Sequence, residues 1–136
     1  GILVKVTSAQ EYEERRQMFA EKQIRGYVKV SLAVNRSFFG PGVVTLLTQI
    51  DRLGSVREAC TKTGMSYSKG WKLIHTAEEE TGWKIVERMS GGKNGGEAYI
   101  TERGHMLLEK YELYRERVEA AAQDIYKDVF QDGELF

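Results

Sequence analysis

The sequence predicts an α+β fold: a winged helix-turn-helix with an N-terminal extension and a long C-terminal helix. Three observations lead there. A short helix pattern ending in Ala59-Cys60-Thr61-Lys62-Thr63-Gly64-Met65 is followed at once by a second helix headed by Ser66, Tyr67, Ser68 and Lys69. Two short strand patterns, 84–88 and 97–100, then flank the loop Gly91-Gly92-Lys93-Asn94-Gly95-Gly96. From Leu107 onward, apolar residues recur every four and three positions.

Each element has a local cause. Ile2 to Val6 is a strand candidate, and Ser8 with Glu11 three residues on marks a helix start running to Lys22, with Met18 and Phe19 on its apolar side. After Gly26, residues Val28, Val30, Leu32 and Val34 alternate with Lys29, Ser31 and Ala33, a half-buried strand expected beside the wing. Phe38-Phe39-Gly40-Pro41-Gly42 leads into a helix over Pro41–Leu53, its buried stripe formed by Val43, Leu46, Leu47, Ile50 and Leu53. Gly54 ends that helix; Ser55 and Glu58 form a capping pair for the next, whose Val56, Ala59 and Cys60 face inward. Gly64 suits the tight turn before Ser66, which caps the second helix of the pair. Trp71 and Ile74 anchor that helix, while Gly70 is costly in a helix interior unless close packing offsets it. Thr81-Gly82 closes it, Thr101 caps the last helix, and Leu107, Tyr111, Tyr114, Val118, Ala121 and Ile125 form a coiled-coil seam expected to pair two copies of the chain, the alternative being a helix folded back over the N-terminal segment. The expected organisation is an N-terminal extension at 1–26, a winged helix-turn-helix at 27–103 and a dimerisation helix at 104–136.

At 136 residues, 41% hydrophobic and 29% charged, the chain fits one ordinary globular core. No apolar run spans a bilayer, and no secretory leader pattern opens the sequence. The single Cys60 excludes an intrachain disulfide and fits a reducing, cytoplasmic setting. Net charge is zero, but unevenly distributed. Residues 52–103 carry nine Lys/Arg against seven Asp/Glu, and residues 104–136 carry four against eight. A local basic surface is therefore compatible with phosphates, while the acidic tail is suited to a protein partner.

The candidate contacts follow from this layout. Helix-turn-helix proteins set the second helix in the major groove, where its first side chains meet base edges. Ser66, Tyr67, Ser68, Lys69 and Lys72 occupy that place, and the free amides at the helix start favour an anion. Lys93 and Asn94 on the glycine-rich loop, with Arg88 just before it, are placed to meet the backbone or minor groove. The loop is no nucleotide-binding P-loop, since the Gly-Lys-Ser/Thr ending is missing. His75 and His105 belong to no metal-ligand pattern, and Cys60 has no activating base in sequence; no catalytic residue, metal or cofactor is expected.

Phe38-Phe39-Gly40-Pro41-Gly42, Leu47 to Ile50, Gly54-Ser55, Gly64-Met65-Ser66-Tyr67-Ser68 with Trp71, Val86-Glu87-Arg88, the GGKNGG loop, and Leu107-Leu108 after Thr101 and Gly104 arrive in one order. Over roughly residues 27–115 the chain resembles the DNA-binding domain of the ModE-like, molybdate-responsive regulators, related to LysR-type winged helices. The resemblance implies a dimeric transcription regulator reading double-stranded DNA at a palindrome. Family members that sense molybdate do so in a separate C-terminal β-rich domain; with the chain stopping soon after the long helix, a stand-alone DNA-binding unit is expected. In the loop, Asn94 stands where the family usually has glycine. The competing expectation is a protein-interaction module on the same scaffold, without specific DNA binding.

Overall fold

The computed structural model describes residues 8–21, 25–89 and 97–130. Five helices and four short strands are present among them: α1 (Ala9–Glu21), β1 (Leu32–Ala33), β2 (Ser37–Phe39), α2 (Pro41–Leu53), α3 (Val56–Thr63), α4 (Tyr67–Thr81), β3 (Val86–Arg88), β4 (Ala98–Ile100) and α5 (Glu102–Phe130). Among the described residues they form two compact units. One lies within 29–115; the other joins the described residues before Lys29 with those from Glu116 to Phe130.

The larger unit is the winged helix. Its core is Phe38, Phe39, Leu46, Leu47, Ile50, Val56, Ala59, Cys60, Ile74, Ala77, Ile85, Val86 and Ile100, all buried. The apolar stripe of α2 supplies Leu46, Leu47 and Ile50, although Leu53, at the end of that stripe, stands at the rim, 37% exposed. Helices α2, α3 and α4 each end on a left-handed glycine, Gly54, Gly64 and Gly82. At Gly64 this conformation makes the turn of the helix pair: its amide donates back to Cys60 and Thr61, and Met65 N–H reaches Cys60 O at 3.0 Å. Ser55 Oγ accepts from Glu58 N–H and Ser66 Oγ from Lys69 N–H, each at 3.1 Å, as the sequence pattern required.

Gly70 is where α4 touches α3. A Cβ there would lie 2.4 Å from Cys60 Sγ, so only glycine allows this approach. The wing strands β3 and β4 pair antiparallel, Val86 with Ile100 and Arg88 with Ala98, and a bridge from Ser55 to Glu97 ties them to the α2–α3 corner. Thr101 Oγ1 caps α5 by accepting from Gly104 N–H at 3.1 Å.

Two expectations fail. The alternating stretch after Gly26 does not form a long strand beside the wing. Only Leu32–Ala33 is a strand, and it pairs with β2 in a hairpin of its own. The alternation misled because only Val30 reaches the core; Val34, on the same phase, is 62% exposed. The carbonyl of Val30 is taken instead by Tyr111 Oη, at 2.9 Å. That bond also removes Tyr111 from the expected dimer seam: the residue is 1% exposed, its ring edge-on to Phe39 at 5.3 Å. The seam pattern at this point reads the protomer's own core.

In the smaller unit, Ser8 Oγ caps α1 by accepting from Glu11 N–H at 3.1 Å. Gln123 Nε2 on α5 donates to Gly26 O at 3.1 Å, and the Tyr126 ring, stacked on Phe130, closes over Gly26. The strand expected at Ile2 to Val6 and the Met18 and Phe19 side chains lie outside what is described.

Candidate nucleic-acid interface

Helix α4 is two-sided. Gly70, Trp71, Ile74 and Ala77 are buried, whereas Ser66, Ser68, Lys69, Lys72 and His75 are exposed and Tyr67 is half-exposed. The structure thus brings Ser66, Tyr67, Ser68, Lys69 and Lys72 together on the first turns of one helix.

The helix is also polarised along its length. Its cations stand at the N-terminal end, and neither Lys69 nor Lys72 has a carboxylate within ion-pair distance among the described residues. Its three acids stand at the other end, and all serve the fold. Glu78 Oε2 accepts the amides of Ile85 and Val86, at 2.8 and 3.2 Å, fixing the start of the wing to α4. Glu80 Oε1 accepts the amides of Asn35 and Arg36, and Arg36 pairs with Glu79 at 2.9 Å, which holds the β1–β2 hairpin. Lysines at a helix start and glutamates at its end run against the macrodipole, which favours the reverse. The acids are placed by their service to the fold, while at the N-terminal end the lysines, the dipole and the free amides all favour an anion.

A cleft of about 770 Å³ opens beside this end of α4, where the start of α2 meets it. Lys29, Ser66, Ser68, Lys69 and Lys72 line it, with Gly40-Pro41-Gly42 across from them. Lys29 is a site cation that sequence reasoning did not place.

Arg88 and Trp71 form the second part. The Arg88 guanidinium lies over the Trp71 ring, 4.0 Å from its centre. Tyr67 meets Trp71 edge-to-face at 6.4 Å, His75 flanks Trp71 at 5.3 Å, and the Arg57 guanidinium covers Tyr67 at 4.3 Å. Rings at 67, 71 and 75 recur at i, i+4, a stripe readable in the sequence. The two arginines that join it come from α3 and β3, and no local pattern connects them. Trp71 Nε1 is buried with no partner among the described residues. Lys93 and Asn94 lie outside the described residues.

His105 Nε2 pairs with Asp51 at 2.8 Å, and no cluster of three metal-ligating side chains occurs among the described residues. Burial pushes the Cys60 thiol above its ordinary range, against a smaller opposing pull from the Arg57 charge, so it is a core residue and a poor nucleophile. Among the described residues, no helix is long and apolar enough to cross a membrane.

Comparison with known proteins found no matching family model. Individual relatives do match. The chain is 34% identical over 93 residues to the transcriptional regulator ModE of Yersinia pestis, covering 68% of this chain and 35% of that protein. It is 32% identical over 91 residues to the DNA-binding transcriptional dual regulator ModE of Escherichia coli strain K12, covering 67% and 34%. It is also 33% identical over 70 residues to the molybdenum-pterin-binding protein MopA of Rhodobacter capsulatus, covering 52% and 26%. The chain thus spans about a third of the length of the ModE proteins it matches.

Proposed function

We propose that this chain, which carries a ModE-like winged-helix DNA-binding domain, is a homodimeric, sequence-specific regulator of transcription, and not an enzyme. The observation that carries the reading is the polarity of α4: unpaired lysines at its exposed start, and acids spent on the fold at its end. In this arrangement Ser66, Ser68, Lys69 and Lys72 enter the major groove, where hydroxyl and ammonium groups meet base edges and phosphates. Tyr67 lends its hydroxyl, since its ring is already engaged. Arg88, Lys93 and Asn94 extend the contact from the wing to the sugar-phosphate backbone.

The dimer is carried by α5. With Tyr111 taken into the core, the surface left for a partner is Leu107, Tyr114, Val118, Ala121 and Ile125, joined by Val129. Tyr114, Ile125 and Val129 are 51%, 63% and 61% exposed, and from Tyr114 onward the spacings keep one helical face. A twofold pair would present two α4 helices to half-sites about 34 Å apart, one duplex turn. Selection of bound duplexes from a random pool tests the reading. Recovery of an inverted repeat with half-sites one turn apart supports it. A pool that stays unenriched, with no duplex retarded at low salt, contradicts it and leaves a protein-interaction role on the same scaffold.

A further inference from the structure

The exposed Arg57 on α3 has no place in a simple reading of the recognition helix, yet the fold holds it there. Its guanidinium rests on the face of Tyr67, in the first turn of α4, at 4.3 Å; Tyr67 abuts Trp71, and Trp71 carries Arg88 at 4.0 Å on its ring. The order is cation, ring, ring, cation, with one arginine from the element before the recognition helix and one from the wing after it. Among the described residues neither arginine has a carboxylate within ion-pair distance. By contrast, Arg36, at the acidic end of α4, is fully paired with Glu79 and Glu80.

We infer that Arg57 is a further DNA-contacting residue, binding a backbone phosphate beside the recognition helix, and that Tyr67 and Trp71 are positioning residues that hold Arg57 and Arg88 ready for it. The inference rests on the DNA-binding reading above. A planar guanidinium can keep a ring against its face while its edge N–H groups remain free for phosphate oxygens, in a bidentate fork. An arginine already ordered by a ring surrenders less rotamer freedom when the phosphate arrives. The contact is to backbone, so it sets register and affinity without reading sequence.

The test is an equilibrium titration of a selected duplex and of an unrelated duplex, across a range of salt, with the full chain. Arg57→Ala is expected to weaken both complexes by a similar factor and to lower the slope of log K against log salt by about one. Arg57→Lys, which keeps the charge and loses the planar stack, should recover the slope but only part of the affinity. Tyr67→Phe, which loses the hydroxyl contact but keeps the ring under Arg57, is the reference for Tyr67→Leu, which should bind more weakly than Tyr67→Phe while the slope persists. Arg36→Ala is the matched control: a guanidinium lost from the paired end, with the slope unchanged. Wild-type affinity and slope in Arg57→Ala, on a duplex the wild type binds, would overturn the inference and leave the DNA reading standing. A wild type that binds no duplex at all would overturn both.

Discussion

Replacing Gly70 with alanine probes the contact on which the pose of the recognition helix depends. A methyl built on Gly70 would sit 2.4 Å from Cys60 Sγ and 3.6 Å from Leu46 Cδ2. Favourable non-bonded contacts begin near 3.5 Å, so the overlap with sulfur is about 1 Å. Cys60 is 2% exposed, so its thiol can turn only into packed core, and the strain falls on the α3–α4 contact. Helix propensity favours alanine over glycine by about 1 kcal/mol, whereas overpacking a core costs about 1–3 kcal/mol. An overlap of this size against a buried atom belongs at the upper end, giving a net loss of about 1–2 kcal/mol. Cys60→Ala alone should cost about 1 kcal/mol through the void it leaves. In the double variant the new methyl enters that void, so the pair should be more stable than the sum of the singles by about 1 kcal/mol or more. Urea unfolding followed by circular dichroism, at one protein concentration for all four proteins, gives the cycle. Gly70→Ala as stable as the wild type, or strict additivity in the double variant, would refute the packing argument.

Other outcomes follow from the same geometry. Burial raises the Cys60 pKa above its ordinary 9.0, so the folded state holds a proton that the unfolded chain releases. Its stabilising share is complete below about pH 9 and declines as pH rises through the raised value, so the stability gap between wild type and Cys60→Ala should shift against the wild type in alkaline melts. Glu78→Ala strips the acceptor from the amides of Ile85 and Val86 and should cost about 1–3 kcal/mol in a chemical melt, with protection of those two amides lost in hydrogen exchange. Tyr111→Phe should cost about 1 kcal/mol through the lost bond to Val30 O and leave the sedimentation behaviour unchanged, while Ile125→Glu should shift the chain towards monomer with its fold intact.

Much of the winged helix was legible in the sequence because its boundaries are set by short-range chemistry. Ser55, Ser66 and Thr101 cap the helices that follow them, and Gly54, Gly64 and Gly82 end the three before, each within a few residues of its partner group. The penalty of Gly70 was legible too, but its reason, the thiol of Cys60, is a contact between helices. Period alone failed where two environments share one spacing. Val30 and Val34 alternate alike, yet only one is buried; Tyr111 and Tyr114 both fit a heptad seam, yet one is core and the other exposed. The residues named from the sequence at the start of α4 lie together on that helix, because one cap and one helical period place them. Lys29 escaped because it reaches the site from far along the chain, and Arg57 because its contact with Tyr67 crosses the α3–α4 turn; the service of Glu78, Glu79 and Glu80 to the hairpin and the wing escaped because it too is tertiary.

In the proposed function, the exposed start of α4 is the surface that meets DNA. Backbone amide shifts of the isotopically labelled chain, recorded as a selected duplex is added, test this residue by residue. The largest changes should fall on residues 66–72, with Arg57 and Arg88 moving alongside them and the C-terminal half of α5 silent. Changes confined to α5, with residues 66–72 unmoved at saturation, would contradict it.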